Sequence, residues 1–310
     1  MISKLIVGGA QLGIDYGITN QSGQVSEREA LCILEAAVNT GINFVDTARA
    51  YGNSEEVIGL ALSQIAADAS PKIITKIPAL EEYASLPDAK KAIKRVIDDY
   101  VLCSQRALKV SSLDVVLLHR TTDLTSWDGL VWEKLKSLKL QGSLHSLGVS
   151  VQTYDELLLA LNEPDVEFIQ LPLNILDWRW DKAVPLIRKI KSERFLQIHA
   201  RSVFLQGLLL TDDPVLWGKA NVTECSDIIL WLAKVQELAQ CSTLRELCLK
   251  YVASLDWVDG IVVGVDSLDQ FTQNVKSLKG VKFSQSISDV ISSTRPILDE
   301  STLNPAVWNT

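Results

Sequence analysis

Histidine is scarce in this sequence: three occur in 310 residues, alongside five cysteines and one methionine. None of the histidines stands at metal-ligand spacing from another and no two cysteines form a Cys-x-x-Cys pair, so no metal site is expected. The cysteines are an odd, scattered set, and Cys32, Cys103 and Cys248 fall in helical patterns among Leu, Ile and Val. That placement predicts buried free thiols in a reducing compartment. Basic clusters are missing as well. The formal net charge is −8, and the densest basic stretch, Lys90, Lys91, Lys94 and Arg95, is answered by Asp98 and Asp99. A phosphate-neutralising surface needs clustered Lys and Arg, so nucleic acid is excluded as a partner. No apolar run reaches the ~20 residues of a membrane span. The first residues run into a strand-like segment with no apolar leader, and the expected location is cytoplasmic.

What is present is an alternation. Short apolar runs cover residues 4–7, 42–45, 71–77, 113–118, 143–149, 168–171, 195–199 and 261–263. Each is followed by a helical pattern, and several of those helices open on a capping signal. Ser26-Glu27-Arg28-Glu29, Asn53-Ser54-Glu55-Glu56, Thr153-Tyr154-Asp155-Glu156, Thr243-Leu244-Arg245-Glu246 and Ser267-Leu268-Asp269-Gln270 are such starts. Further helical patterns run near 88–108, 126–140, 182–191 and 228–238, and the first helix stops at Thr40-Gly41. The runs are apolar throughout rather than alternating, as strands covered on both faces are. Strict strand–helix alternation gives a parallel sheet with right-handed crossovers, and eight units close a barrel. A doubly wound open sheet usually carries a Gly-rich phosphate turn after its first strand. Gly8-Gly9-Ala10-Gln11-Leu12-Gly13 does not match GxGxxG. The expected architecture is therefore a single (β/α)8 TIM barrel over residues 1–310, with 281–310 a C-terminal tail packing on it.

Working groups of such barrels project from the C-terminal ends of the strands. The second strand leads to Asp46 and Tyr51, the third ends at Lys76, and the fourth at His119 and Arg120. Ser150, Gln170, Arg201 and Ser202 follow on the later strands. A lysine inside the barrel mouth needs a carboxylate partner, and Asp46 on the adjacent strand end can supply it. The set suits proton transfer to a carbonyl oxygen. A phenol is a weak acid at neutral pH; a neighbouring ammonium stabilises its anion. His119 would orient the substrate oxygen as a hydrogen-bond donor.

At these residues the sequence resembles an aldo-keto reductase, from about residue 5 to 274. Phe44-Val45-Asp46-Thr47-Ala48 with Tyr51-Gly52-Asn53-Ser54-Glu55 is similar to the family's Asp/Tyr signature. Ile74-Thr75-Lys76 and Asp114-Val115-Val116-Leu117-Leu118-His119 are similar to its lysine and histidine strands. The resemblance implies catalysis by Asp46, Tyr51, Lys76 and His119, with Tyr51 the proton donor. It implies NADP(H) as cofactor, bound extended, with Ser150 and Gln170 at the nicotinamide carboxamide. The segment from Gly264 through Asp266, Ser267 and Gln270 to Gln273 and Asn274 would hold the adenosine half, the last two facing adenine. Val151 stands where many members have Asn. Arg201, beside Ser202, stands where many have an aromatic stacked on nicotinamide, a role a planar guanidinium can take. Gln270 replaces a frequent arginine for the 2′-phosphate, and with Asp266 close by it keeps NAD(H) open.

The function implied is NAD(P)H-dependent reduction of an aldehyde or ketone, including sugars and other polar or anionic carbonyls, or the reverse oxidation. Gln11, Tyr16, Arg120, Trp178, Trp180 and Trp217 are the substrate-pocket candidates, and Arg120 with Arg201 points to an anionic or strongly polar substrate. The alternative is a nucleotide-sensing or partner-regulating protein on the same barrel, because fold alone does not prove function.

Overall fold

The computed structural model describes residues 2–20, 22–65, 70–85, 88–280 and 283–308. The strands are β1 (Leu5–Gly8), β2 (Phe44–Asp46), β3 (Lys72–Ile77), β4 (Leu113–Leu118), β5 (Leu144–Ser150), β6 (Phe168–Pro172), β7 (Gln197–Arg201) and β8 (Gly260–Gly264). They form a closed barrel in sequence order, every neighbouring pair parallel and β8 returning to β1. The chain is thus a (β/α)8 barrel. The helices are α1 (Ala10–Gly13), α2 (Glu27–Asn39), α3 (Ser54–Leu62), α4 (Ala89–Leu108), α5 (Leu130–Leu140) and α6 (Tyr154–Asn162). They continue as α7 (Val184–Glu193), α8 (Pro214–Lys219), α9 (Ser226–Leu238), α10 (Leu244–Ser254), α11 (Leu268–Ser277) and α12 (Gln285–Thr294).

Caps fix where the helices begin. Ser26, Thr153, Thr243 and Ser267 each accept a bond from the backbone N–H at the third helical position, and at Thr153 the Glu156 side chain returns the bond. Most boundaries shift by a residue or two from the sequence reading, and two of the shifts bear on the site and the helix path. β7 starts and ends two residues later, so Arg201 belongs to the strand end and not to the loop beyond it. The helical pattern near 126 is a 3-10 turn, and α5 begins only at Leu130. Trp127 and Asp128 sit at φ 52° and 58° and Gly129 at φ 76°, which breaks the α-helical path there.

Two apolar layers hold the barrel. Outside, strand side chains pack on the buried faces of the helices, such as Ile93, Ile97 and Val101 of α4. Inside, Ile6, Ile74, Val115, Leu117 and Phe168 form a separate cluster. Beside it, Phe44, Phe168 and His199 meet edge to face with centroids 5.4–6.1 Å apart. His199 is 2% exposed, and burial, with Lys191 adding, pulls its imidazole down to about 3. It is a neutral wedge, bonded through Nε2 to Gln197 at 3.0 Å. The C-terminal residues bury Ile291, Leu303 and Trp308 against this body. Burial of the thiols is only partial: Cys225, Cys241 and Cys248 are buried, but Cys103 is exposed and Cys32 half-buried, both lying on outer helix surfaces. Among the described residues no helix is long and apolar enough to cross a membrane.

Candidate active site

Parallel pairing sets the register that brings the working groups together. Asp46 pairs with Gly8 and Ile74, and Lys76 pairs with Leu117 one strand further on. From there Lys76 Nζ donates to both Asp46 oxygens at 2.8 Å and to the Thr47 carbonyl at 2.8 Å. Lys76 is 1% exposed and Asp46 3%. Burial alone pulls the ammonium down, but Asp46 and then Tyr51 more than offset it, and the net direction is up. Lys76 stays charged. Gln170 Nε2 donates to Asp46 Oδ1 at 2.7 Å, so the carboxylate is held from two sides.

Tyr51 enters from the β2–α3 connection, a tight turn in which its N–H bonds Ala48 and its carbonyl takes the Ser54 N–H, each at 3.0 Å. Gly13 makes that turn possible, because a Cβ there would lie 1.8 Å from the Tyr51 oxygen. The Tyr51 ring lies with Lys76 Nζ 5.0 Å from its centroid, and the His119 ring stands edge-on to it at 5.9 Å. Burial first, then Lys76, Arg201 and Arg120, pull the His119 imidazole down to about 3. Near neutral pH it is uncharged, with one N–H to donate.

Asp46, Tyr51 and His119 open onto one cleft of about 1220 Å³, with Lys76 beneath. Ser150, Gln170, Arg201, Ser202, Gly264, Asp266 and Gln270 line it, as do Gln11, Tyr16 and Arg120. Gly264 is small because the Gln11 amide lies against it, 2.2 Å from where a Cβ would be. Asp266 binds Gln270 through its N–H and Oδ2, while its Oδ1 is buried without a partner.

Several residues singled out from the sequence lie elsewhere. Trp180 is fully buried, its ring N–H on the Pro172 carbonyl at 2.6 Å. Trp217 is equally buried and bonds the Thr211 carbonyl, and Trp178 bonds the Leu298 carbonyl. These tryptophans pin loops and the C-terminal segment rather than lining the cleft. Ser267 is spent on the α11 cap, Gln273 bonds Asp269 one turn away, and Asn274 is buried, accepting from Arg245 at 2.8 Å. None of the three lines the cleft.

Other lining residues were missed. Arg245, read only as part of a helix start, reaches the cleft with its guanidinium 5.5 Å from the Phe204 ring centroid. Gln152 and Asn304 meet at 2.6 Å across 152 positions of sequence, a contact no local pattern carries. Pro305 and Ala306 line the cleft beside them. Among the described residues no cluster of His, Cys, Asp and Glu could hold a metal ion.

Fold and site together define a class: barrel enzymes whose working side chains crown the C-terminal strand ends. Residues 4–293 match the sequence model of the Aldo/keto reductase family, and the chain belongs to that family. It is an oxidoreductase of this kind. It is 24% identical to L-galactose dehydrogenase of Arabidopsis thaliana, with 89% of this chain and 86% of the relative covered. It is also 24% identical to D-threo-aldose 1-dehydrogenase of a Pseudomonas species, over 85% and 88%. In structure it is similar to the holo form of an aldo-keto reductase from Bacillus halodurans, with a TM-score of 0.74 and 24% identity, covering 95% of this chain and 93% of the other.

Proposed function

We propose that the chain reduces an aldehyde or ketone to an alcohol with NAD(P)H, or runs the reverse oxidation, with Tyr51 as proton donor. The observation that carries this reading is the placement of a charged, carboxylate-held ammonium at 5.0 Å from the centre of a phenol ring that faces the cleft. The dinucleotide, when bound, supplies the hydride. Tyr51 gives its hydroxyl proton to the carbonyl oxygen, and Lys76 stabilises the phenolate left behind. Asp46 keeps Lys76 in place and charged, and Gln170 fixes Asp46. His119, being neutral, donates its N–H to the same oxygen and aims the carbonyl without competing for the proton.

The cleft fits such a cofactor. Ser150 and Gln170 supply polar groups near the catalytic set, and the orphaned, buried Asp266 Oδ1 suits a ribose hydroxyl donor. Arg245, tied to α11 through Asn274, offers a cation that a 2′-phosphate would use. NADP(H) and NAD(H) thus both find groups here, with Asp266 acting against the phosphate. The names of the two dehydrogenase relatives favour a sugar-like carbonyl or alcohol.

The test is a panel of aldehydes and sugars with each dinucleotide, followed by nicotinamide absorbance in wild type and Tyr51→Phe. Turnover by wild type, with kcat/KM lowered roughly 10²–10⁴-fold in the variant, is expected. Equal rates in the two proteins would remove the proton-donor assignment. Dinucleotide binding without turnover of any panel member would turn the reading towards a sensing protein.

A further inference from the structure

We infer that the substrate is an anionic carbonyl compound whose carboxylate or phosphate is bound by the Arg201 guanidinium, beside the groups that move the proton. This rests on the carbonyl-reduction reading above and specifies its substrate class. Arg201 closes β7 and lines the same cleft as Tyr51 and His119. Tyr51, Tyr16 and the Asp46 carboxylate all lie close to it. Both of its hydrogen bonds use one nitrogen: Nη2 donates to Gln152 Oε1 at 2.6 Å and to the Val151 carbonyl at 3.3 Å. Among the described residues Nε and Nη1 have no partner, yet neither is a buried orphan, so both open to the cleft. A guanidinium offers its donors in a fork that matches carboxylate and phosphate oxygens.

The missing counter-ion is what makes this a site. Among the described residues no carboxylate forms an ion pair with Arg201. Asp46, the nearest carboxylate in effect, is committed to Lys76 and Gln170. Glu156 is spent on the Gln152 and Thr153 N–H groups, and Asp266 meets Gln270 through Oδ2 and does not reach Arg201. A largely buried, unpaired guanidinium is costly, and an anion that arrives with the substrate offsets that cost. Its position is also prepared. Gln152 Nε2 donates to Asn304, which orients the amide so that its oxygen faces Arg201. Arg120, exposed on the same cleft beside His119, has no ion pair among the described residues either and adds to a positive field.

Matched pairs test this: butanal against 4-oxobutanoate, and glyceraldehyde against glyceraldehyde 3-phosphate, in wild type, Arg201→Gln and Arg201→Lys. In wild type at least one anionic member should exceed its neutral partner in kcat/KM by roughly 10- to 100-fold. Arg201→Gln should collapse that ratio towards one, and Arg201→Lys should keep part of it. A ratio near one in wild type, or a ratio unchanged in Arg201→Gln, overturns the proposal. Acetate or inorganic phosphate should also inhibit butanal reduction competitively in wild type, which needs no variant to fold; competition by neither counts against the subsite. Tyr51→Phe separates the two readings, because it lowers both members of each pair and leaves their ratio alone. Calorimetric titration of acetate and of phosphate into wild type and Tyr51→Phe reads the subsite without turnover.

Discussion

A fully buried ammonium survives in a barrel only with its counter-charge in contact, and here that contact also builds the site. Removing one partner leaves the other desolvated and alone. Asp46→Asn is expected to lower unfolding free energy by about 3–5 kcal/mol. The double substitution Asp46→Leu with Lys76→Met should recover most of that loss while remaining inactive. Urea titration of the three proteins checks it; a single variant as stable as wild type would contradict the buried pairing. The proposed use of a dinucleotide is testable at residue scale too. Asp266→Ala removes a buried acceptor and an acidic group, and should raise the NADPH/NADH ratio of kcat/KM and of binding affinity. An unchanged ratio of dissociation constants would remove Asp266 from that role. The strand-end residues were legible because each follows a short apolar run, where barrel geometry leaves few choices. Trp180 and Trp217 were misread because aromatic character does not say which way a ring points, and here each ring N–H found a backbone carbonyl inside. Gln152 and Asn304 left no local trace, since their contact exists only after the tail has folded back.

Elements begin where side chains satisfy the orphan N–H groups of a first helical turn. Thr153 shows this in full: its Oγ accepts from Glu156 N at 3.3 Å, while Glu156 accepts from Thr153 N at 3.1 Å. Thr153→Ala should cost about 1 kcal/mol in urea unfolding. Because Glu156 also accepts from Gln152 N, the change should loosen the strand-five loop and raise KM more than it lowers kcat. An unaltered KM would show that the cap does not brace that loop. Capping signals made α2, α6, α10 and α11 readable in sequence. By contrast α1 and α8, with four and six residues, are too short to show a helical period, and so could not be seen there. The delayed start of α5 was hidden for another reason: left-handed backbone at Trp127 and Asp128 is not written in side-chain polarity.

At the scale of the molecule, buried His199 and Asp123 and half-buried His119 contribute to acid stability. His119 and His199 are held at about 3 in the fold, below the ordinary imidazole value of 6.5. Their stabilisation is complete above that value and is lost as pH falls towards 3. Asp123 is 1% exposed, and burial with Glu81 pushes it up to about 6 from 3.8. The fold therefore keeps a proton on Asp123 that the unfolded chain releases, and stability falls as pH rises through that window. Between about pH 4 and 6 the two histidines outweigh the single acid. The balance of these three is the effect of one group that gains a proton on unfolding, and it makes stability rise with pH. Asp123→Asn should steepen the wild-type slope by about the same amount, and His199→Gln should flatten it. Unfolding free energies at several pH values measure both; parallel curves for all three proteins would refute the account.

The rings of Phe44, Phe168 and His199 plug the lower end of the barrel among the apolar side chains around Ile74 and Leu117. A bottle with a sealed base has a single neck. Traffic into this cleft must pass the rim formed by the loops beyond the strand ends and leave by the same way. For the two molecules that the proposed reaction needs, whichever lies deeper is expected to arrive before the other and to depart after it.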